Sequence, residues 1–328
     1  MEPVTHALAS VALAKAGVGR GMRGAVPMLL ASGLAADLDW LAYLGGPRAF
    51  VSVYRTWSHS LVWTVAIAAA AAGVYVYMRK NAEGQRPRFR TAFLVCLAGA
   101  GLHLLLDLGN PYGVKLLWPF SEKWFAWDLL TPVDPWLLFL LAAGLLLPAL
   151  FRLVTEEIGA KSKRVGRGAA VALVLAALYL GGRWMLHERA QALLMVRMYH
   201  GAIPMAAGAF PQAASPFNWD GVVVTENTIE EVTVPLGPGG EFDPDRSRTY
   251  FKPEATPQLE AALGSEVAKR FVAYARFPLA SVERIEEGWR VTLRDVRFAN
   301  GLAGRGVELE IDVNKQAQVI GDRWKWQK

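Results

Sequence analysis

Apolar residues form long unbroken runs over roughly the first 190 positions and short alternating runs beyond about position 218. Six of the long runs read as helices in a membrane: residues 4–16, 25–44, 60–78, 91–108, 135–154 and 168–186. A helix needs about 20 apolar residues to cross the hydrocarbon core, so the first run is short and is expected to be tilted or embedded in the bundle. Residues 187–199 continue a helix with charges, and residues 201–217, rich in Ala, Gly and Pro, read as a linker. Residues 219–225, 229–235, 289–298 and 307–313 alternate apolar and polar positions as strands do, with a turn at residues 301–306. Residues 257–277 carry helical periodicity. The expectation is an α-helical polytopic membrane bundle of about six segments followed by a small α+β extracytoplasmic domain, divided as 1–186, 187–217 and 218–328.

Composition agrees with the pattern. Hydrophobic residues make up 53% of the chain, tryptophans number 12 and charged residues are only 20%, a membrane-protein balance. The single cysteine, Cys96, excludes an intramolecular disulfide. No cleavable signal peptide is expected, because the N-terminus lacks a basic region before its apolar run. The net charge of +6 matters less than its placement. The most basic connections run from Lys15 to Arg23, from Arg79 to Arg90 (with Arg86 between) and from Arg152 to Arg167, the last carrying Lys161, Lys163 and Arg164. Counting alternate crossings puts all three on one side, the cytoplasmic one by the positive-inside rule. The C-terminal domain then lies outside. Membrane lipids and a small-molecule or lipid substrate are the expected partners, and no nucleic acid is expected.

Candidate chemistry centres on residues 101–113. His103 and Asp107 stand four apart in an apolar run, so both face one spot at the end of a helix that Gly109 and Pro111 stop. A buried His and Asp need partners or a metal. Three other segments supply them near the same outward ends: His6, Asp37 with Asp39, and His59. Asp37 and Asp39 lie about 200° apart on an ideal helix, so one is expected to bind directly while the other orients a histidine, binds a second ion or acts as general base. Ser58 is positioned to cap the helix after His59. Asp128 and Asp134 are reserve ligands, and Arg55 and Lys115 are cations able to meet an anionic substrate. His187 and His200, the other two of five histidines, read as surface residues. The aromatic connection, residues 116–130, reads as an amphipathic stretch at the outer interface, either an anchor or a lip over the site.

Mixed His and Asp ligation suits Zn²⁺, Mn²⁺ or Fe²⁺. Six donors exceed one catalytic zinc, so one or two ions are expected, with Asp107 the natural bridge, and two ions suit phosphoester hydrolysis by metal-activated water. A cation transporter or channel using the same ligands and a non-catalytic anchor for an outer sensor or assembly domain are the competing functions. A zinc protease is disfavoured, since no His-Glu-x-x-His occurs.

The segments Pro3-Val4-Thr5-His6, Asp37-Leu38-Asp39, Trp57-Ser58-His59-Ser60 and His103-x-x-x-Asp107 with Asn110-Pro111-Tyr112-Gly113 resemble the YdjM-like family of LexA-regulated inner-membrane proteins. That resemblance covers residues 2–136 and implies a metal-dependent hydrolase. The ligand order is also similar to the zinc-dependent phospholipase C and single-strand nuclease superfamily. It implies one metal on Asp37 or Asp39, His59, His103 and Asp107, and another on His6 and Asp107. The two further histidines and the glutamate of a third metal in the phospholipases have no match.

Overall fold

The computed structural model describes residues 1–80, 88–157, 166–299 and 306–327, with residues 152–157 described by backbone alone. Arg86, Lys161, Lys163, Arg164 and most of the expected 301–306 turn lie outside the described residues. The chain forms two compact units, one of residues 1–40 and 55–183, the other of residues 41–54 and 184–328.

The first unit is helical: α1 (Pro3–Ala16), α2 (Ala25–Leu34), α4 (Leu61–Met78), α5 (Phe89–Leu108), α6 (Pro135–Glu157) and the start of α7 (Arg167–Val196). Three helices, α4, α5 and α7, are long and apolar enough to cross a membrane. A fourth crossing is counted if α2 and the stretch Ala36–Val53, bent by 40°, form one span. The six-segment expectation is therefore reduced to three or four spans among the described residues. Segment one shows why: 14 residues of α1 reach only roughly 21 Å, short of the hydrocarbon core of about 30 Å.

Small residues bring these helices close. Ala68 and Ala72 of α4 pack on Ala92, Val95 and Cys96 of α5, a small-residue interface of the kind membrane helices favour. A Cβ at Gly33 would stand 2.4 Å from Ser10 Oγ, and one at Gly99 would stand 2.9 Å from the Leu29 carbonyl. Only glycine admits α1, α2 and α5 to this spacing, which sets the separation of the groups they carry. A second core joins Ala9 and Ala12 of α1 to Leu137 and Leu141 of α6 and Ala169 and Ala176 of α7.

The second unit holds the end of α7 and two antiparallel four-stranded sheets. The first has the order β1 (Ala206–Pro211), β2 (Asn218–Val224), β3 (Thr228–Pro235) and β4 (Arg248–Phe251). The second runs β5 (Pro278–Ile285), β6 (Gly288–Asp295), β7 (Val307–Asn314) and β8 (Val319–Trp326). Ala190 and Leu194 of α7 pack on Trp219, Val223, Val232 and Val234 of the first sheet. On the second sheet, α8 (Pro257–Gly264) and α9 (Glu266–Tyr274) cover Leu293, Leu309, Ile311 and Val313. The single helix expected over 257–277 is divided because Ser265 leaves the helical conformation and caps α9 through Ala268 N. The expected linker contains β1, whose register pairs Ala206 with Val224 through to Pro211 with Trp219. The remaining helix, α3 (Gly46–Val53), belongs to this unit, where Tyr43 and Phe50 lie against Trp326 with ring centroids 4.5 and 5.2 Å apart.

Candidate metal centre

Four helix ends meet in the first unit: the start of α1, the end of α2, the start of α4 and the end of α5. His103 lies five residues before the end of α5, roughly 7–8 Å along its axis, and Asp107 lies one turn further on. His103 Nδ1 is 2.7 Å from the Gly33 carbonyl, so the proton resides on Nδ1 and the Nε2 lone pair turns inward. The α5 end is capped from outside: Trp127, Leu129 and Leu130 donate backbone N–H groups to the Leu108 and Gly109 carbonyls at 2.6–2.8 Å. The aromatic connection is thus a strap of turns and short extended backbone that satisfies a buried helix end, with Phe120 exposed on it.

His59 sits in a 3₁₀ turn, Trp57–His59, just before α4. Its Nδ1 is 3.1 Å from Asp39 Oδ2 and 2.9 Å from Ser58 Oγ, and Ser58 itself donates to Asp39. The cap of α4 is Ser60, which accepts from Trp63 N at 3.3 Å, rather than Ser58. With Nδ1 so engaged, His59 Nε2 also points inward, 2.8 Å from Asp107 Oδ2 and 3.1 Å from His103 Nε2. His103 Nε2 is 3.2 Å from the same Asp107 oxygen. His6 stacks on His103 with centroids 3.9 Å apart and brings Nε2 to 3.3 Å from Asp107 Oδ1.

The two aspartates of the Asp-Leu-Asp pair face different partners. They lie in a 3₁₀ stretch, Ala36–Gly45, not an α-helix. Asp37 Oδ1 approaches His103 Nε2 at 3.8 Å, while Asp39 holds His59, Ser58 and the Arg55 backbone N–H at 2.8 Å. One ligand atom each from His6, Asp37, His103 and Asp107 can be enclosed within 4.8 Å of one another, a cluster able to hold a metal ion.

The donor set fits a cation on physical grounds. Two inward Nε2 lone pairs and the Asp107 Oδ2 lone pairs stand in mutual contact, and Asp107 Oδ2, Asp37 Oδ2, Asp39 Oδ1 and His6 Nδ1 are buried without a hydrogen-bond partner among the described residues. Lone pairs so placed repel unless a proton or a metal cation lies among them. Asp107 Oδ1 is compensated instead by the Arg55 guanidinium at 2.8 Å and by the Met1 ammonium.

The other sequence candidates fall outside this cluster or take different roles in it. Arg55, expected at the surface, is only 1% exposed. Its backbone is held in the left-handed region at φ 56°, and its guanidinium stacks over Tyr112 at 5.5 Å. Lys115 pairs with Glu122. Asp134 caps α6 through Leu137 N at 3.0 Å and accepts from Tyr179, so it is engaged elsewhere. Asp128 is buried but outside the cluster. His200 is half-exposed as expected, whereas His187 is mostly buried, beside Trp219. Ser58 and the Gly33 carbonyl were not anticipated as supports. Ser58 had a signal, its place in the polar Trp57-Ser58-His59-Ser60 cluster; a backbone carbonyl has none.

A family model described as YdjM inner membrane protein matches residues 1–190, more than half of the chain. An uncharacterized protein, YfhP of Bacillus subtilis (strain 168), is 30% identical over 112 residues, which is 33% of this chain and 32% of that protein. The chain thus spans about a third of the curated relative's length. No solved structure matches.

Proposed function

We propose, from the premise that the chain belongs to the YdjM inner membrane protein family, that it is a metal-dependent hydrolase acting on a phosphoester or ester bond, with a lipid as substrate. The observation carrying this reading is the convergence of His59 Nε2, His103 Nε2 and Asp107 Oδ2 within 3.2 Å of one another. His6, Asp37, His59, His103 and Asp107 would hold the cation. Asp39 would orient His59 through Nδ1, the carboxylate–histidine support common behind metal ligands. Zn²⁺ suits this set, as do Mn²⁺ and Fe²⁺, and the bound ion supplies Lewis acidity toward a substrate oxygen and acidifies water.

The chain's own residues divide the remaining work. Asp37 is the least buried acid of the cluster, its side chain 14% exposed, so it can accept a proton from attacking water and pass it on. Asp39 has three partners on Oδ2, the backbone N–H of Arg55, Ser58 and His59, and is the poorer base. Arg55, buried against Asp107, would fix the carboxylate's orientation toward the cation by holding Oδ1. Leu38, Trp40, Trp57 and Leu61, beside the site residues in sequence, expose their apolar side chains, which supports access from lipid.

The helix ends support an orientation. Lys15, Arg79 and Lys80, Arg88 and Arg90, and Arg167 cluster at the ends of α1, α4, α5 and α7 opposite the site. By the positive-inside rule this supports a site that faces away from the cytoplasm and a C-terminal domain outside it. The test uses full-length protein purified in detergent. It should contain divalent metal, hydrolyse members of a panel of phospholipids and lipid phosphates, and lose that activity to a chelator. Hydrolysis indifferent to the chelator and to His103→Ala would sink the reading.

A further inference from the structure

A second site lies in the first sheet of the second unit. A cavity of about 970 Å³ opens between the turn before β1, the β2–β3 turn and the end of β4. Glu230 of β3 lines it. Along β3 the face of Val232 and Val234 is core, and Glu230 occupies that same face at 1% exposure. An acid at a core position needs a cation or a full set of donors. Ser247 and Thr249 hydroxyls both donate to Glu230 Oε2 at 2.7 Å. Among the described residues these two hydroxyls are its hydrogen-bond donors, and no Lys or Arg lies within ion-pair distance. The nearest basic group is the half-exposed His200, whose Nε2 is 3.9 Å from Oε2 and 3.3 Å from Ser247 Oγ.

The wall around this carboxylate is shaped and apolar. His200 and Gly201 take φ of 48° and 83°, the left-handed pair of a tight turn that closes Tyr199 against Ala202. Holding a histidine there costs about 1 kcal/mol or more, so the turn is a built feature of the rim. Ile203, Met205 and Phe251 complete the rim with strongly exposed side chains, Phe251 at 76%. None of the lining residues is Lys or Arg, while Glu226 adds a second acid.

We propose that this cavity binds an organic cation, a primary ammonium carried on an apolar chain. The N–H donors would meet the Glu230 carboxylate and the chain would lie along Ile203, Met205 and Phe251. The buried carboxylate, met only by two hydroxyls and the half-exposed His200, selects the charge, and the open apolar rim selects the body. The primary ammonium itself is shared by a free alkylamine and an ethanolamine lipid headgroup.

The test is calorimetric titration of the full chain in phosphatidylcholine nanodiscs with hexylamine, hexanoate serving as the anionic control and empty nanodiscs as the blank. Hexylamine should bind and hexanoate should not. Glu230→Gln keeps the acceptor for Ser247 and Thr249 and should weaken hexylamine binding by about tenfold or more. Phe251→Ser, at an exposed position, should weaken it less. Competition by phosphatidylethanolamine in the disc assigns the site to a lipid headgroup, and its absence assigns it to a free amine. Equal binding of amine and acid, or unaltered amine binding in both variants, overturns the proposal.

Discussion

Asp107 and Asp295 are both 0% exposed, yet their surroundings are opposite. Asp295, at the end of β6, is saturated with donors. Arg297 reaches it through backbone N, Nε and Nη2 at 3.1, 2.9 and 2.7 Å, and Arg276 N adds a bond of 2.9 Å. Its charge is spent on holding a turn. Asp107 has Arg55 and the Met1 ammonium on one oxygen and two imidazole lone pairs on the other. A buried acid with donors on both oxygens is structure; a buried acid with imidazole nitrogens crowded on one oxygen is a place for a cation.

Exchanging each acid for its amide separates the two cases most strongly. Asp107→Asn should abolish stoichiometric divalent metal, measured by elemental analysis, a loss exceeding the roughly 10–100-fold cost of removing a supporting residue. Asp295→Asn should leave metal content intact and lower the stability of the second unit by about 3–5 kcal/mol, the usual cost of breaking a buried pair, read by thermal unfolding of the full chain. Equal metal content in the two variants would erase the distinction.

A finer test addresses Asp39, which binds His59 Nδ1 without joining the cluster. Asp39→Asn should weaken metal binding by roughly 10–100-fold without abolishing it. A complete loss would make Asp39 a direct ligand.

The smallest effect belongs to a partly exposed pair on the second sheet. Arg290 bonds Asp312 at 2.8 Å and holds its carboxyl below the ordinary range. A lowered folded-state pKa contributes stability above the unfolded value, lost as pH falls through the folded one. Arg290→Gln should therefore cost at most about 1 kcal/mol at neutral pH, a difference that narrows below about pH 4. A penalty unchanged by acid would assign Arg290 a packing role instead.

Much of this was readable from local pattern. His103-x-x-x-Asp107 in an apolar run announces a helix face with two ligands, because helical spacing is set by the backbone alone. Long apolar segments with basic ends announce a membrane protein for the same reason. Residues 206–211, Ala-Ala-Gly-Ala-Phe-Pro, carry no strand signal, and β1 forms because β2 offers an edge and Gly208 lets Phe277 approach, a Cβ there lying 2.7 Å from its ring.

By itself the sequence pointed to residues able to meet a cation and to one end of the bundle, since both readings come from periodicity and loop charge. Only the tertiary structure decided the division of labour. Asp37 joins the cluster and Asp39 stands behind His59 because a 3₁₀ stretch replaces the α-helix and Arg55, 16 residues on, closes back onto Asp39. Glu230 passed unmarked for a related reason. Whether an acid in a strand faces water or a core is settled by what packs on that face, and that information lies in other parts of the chain.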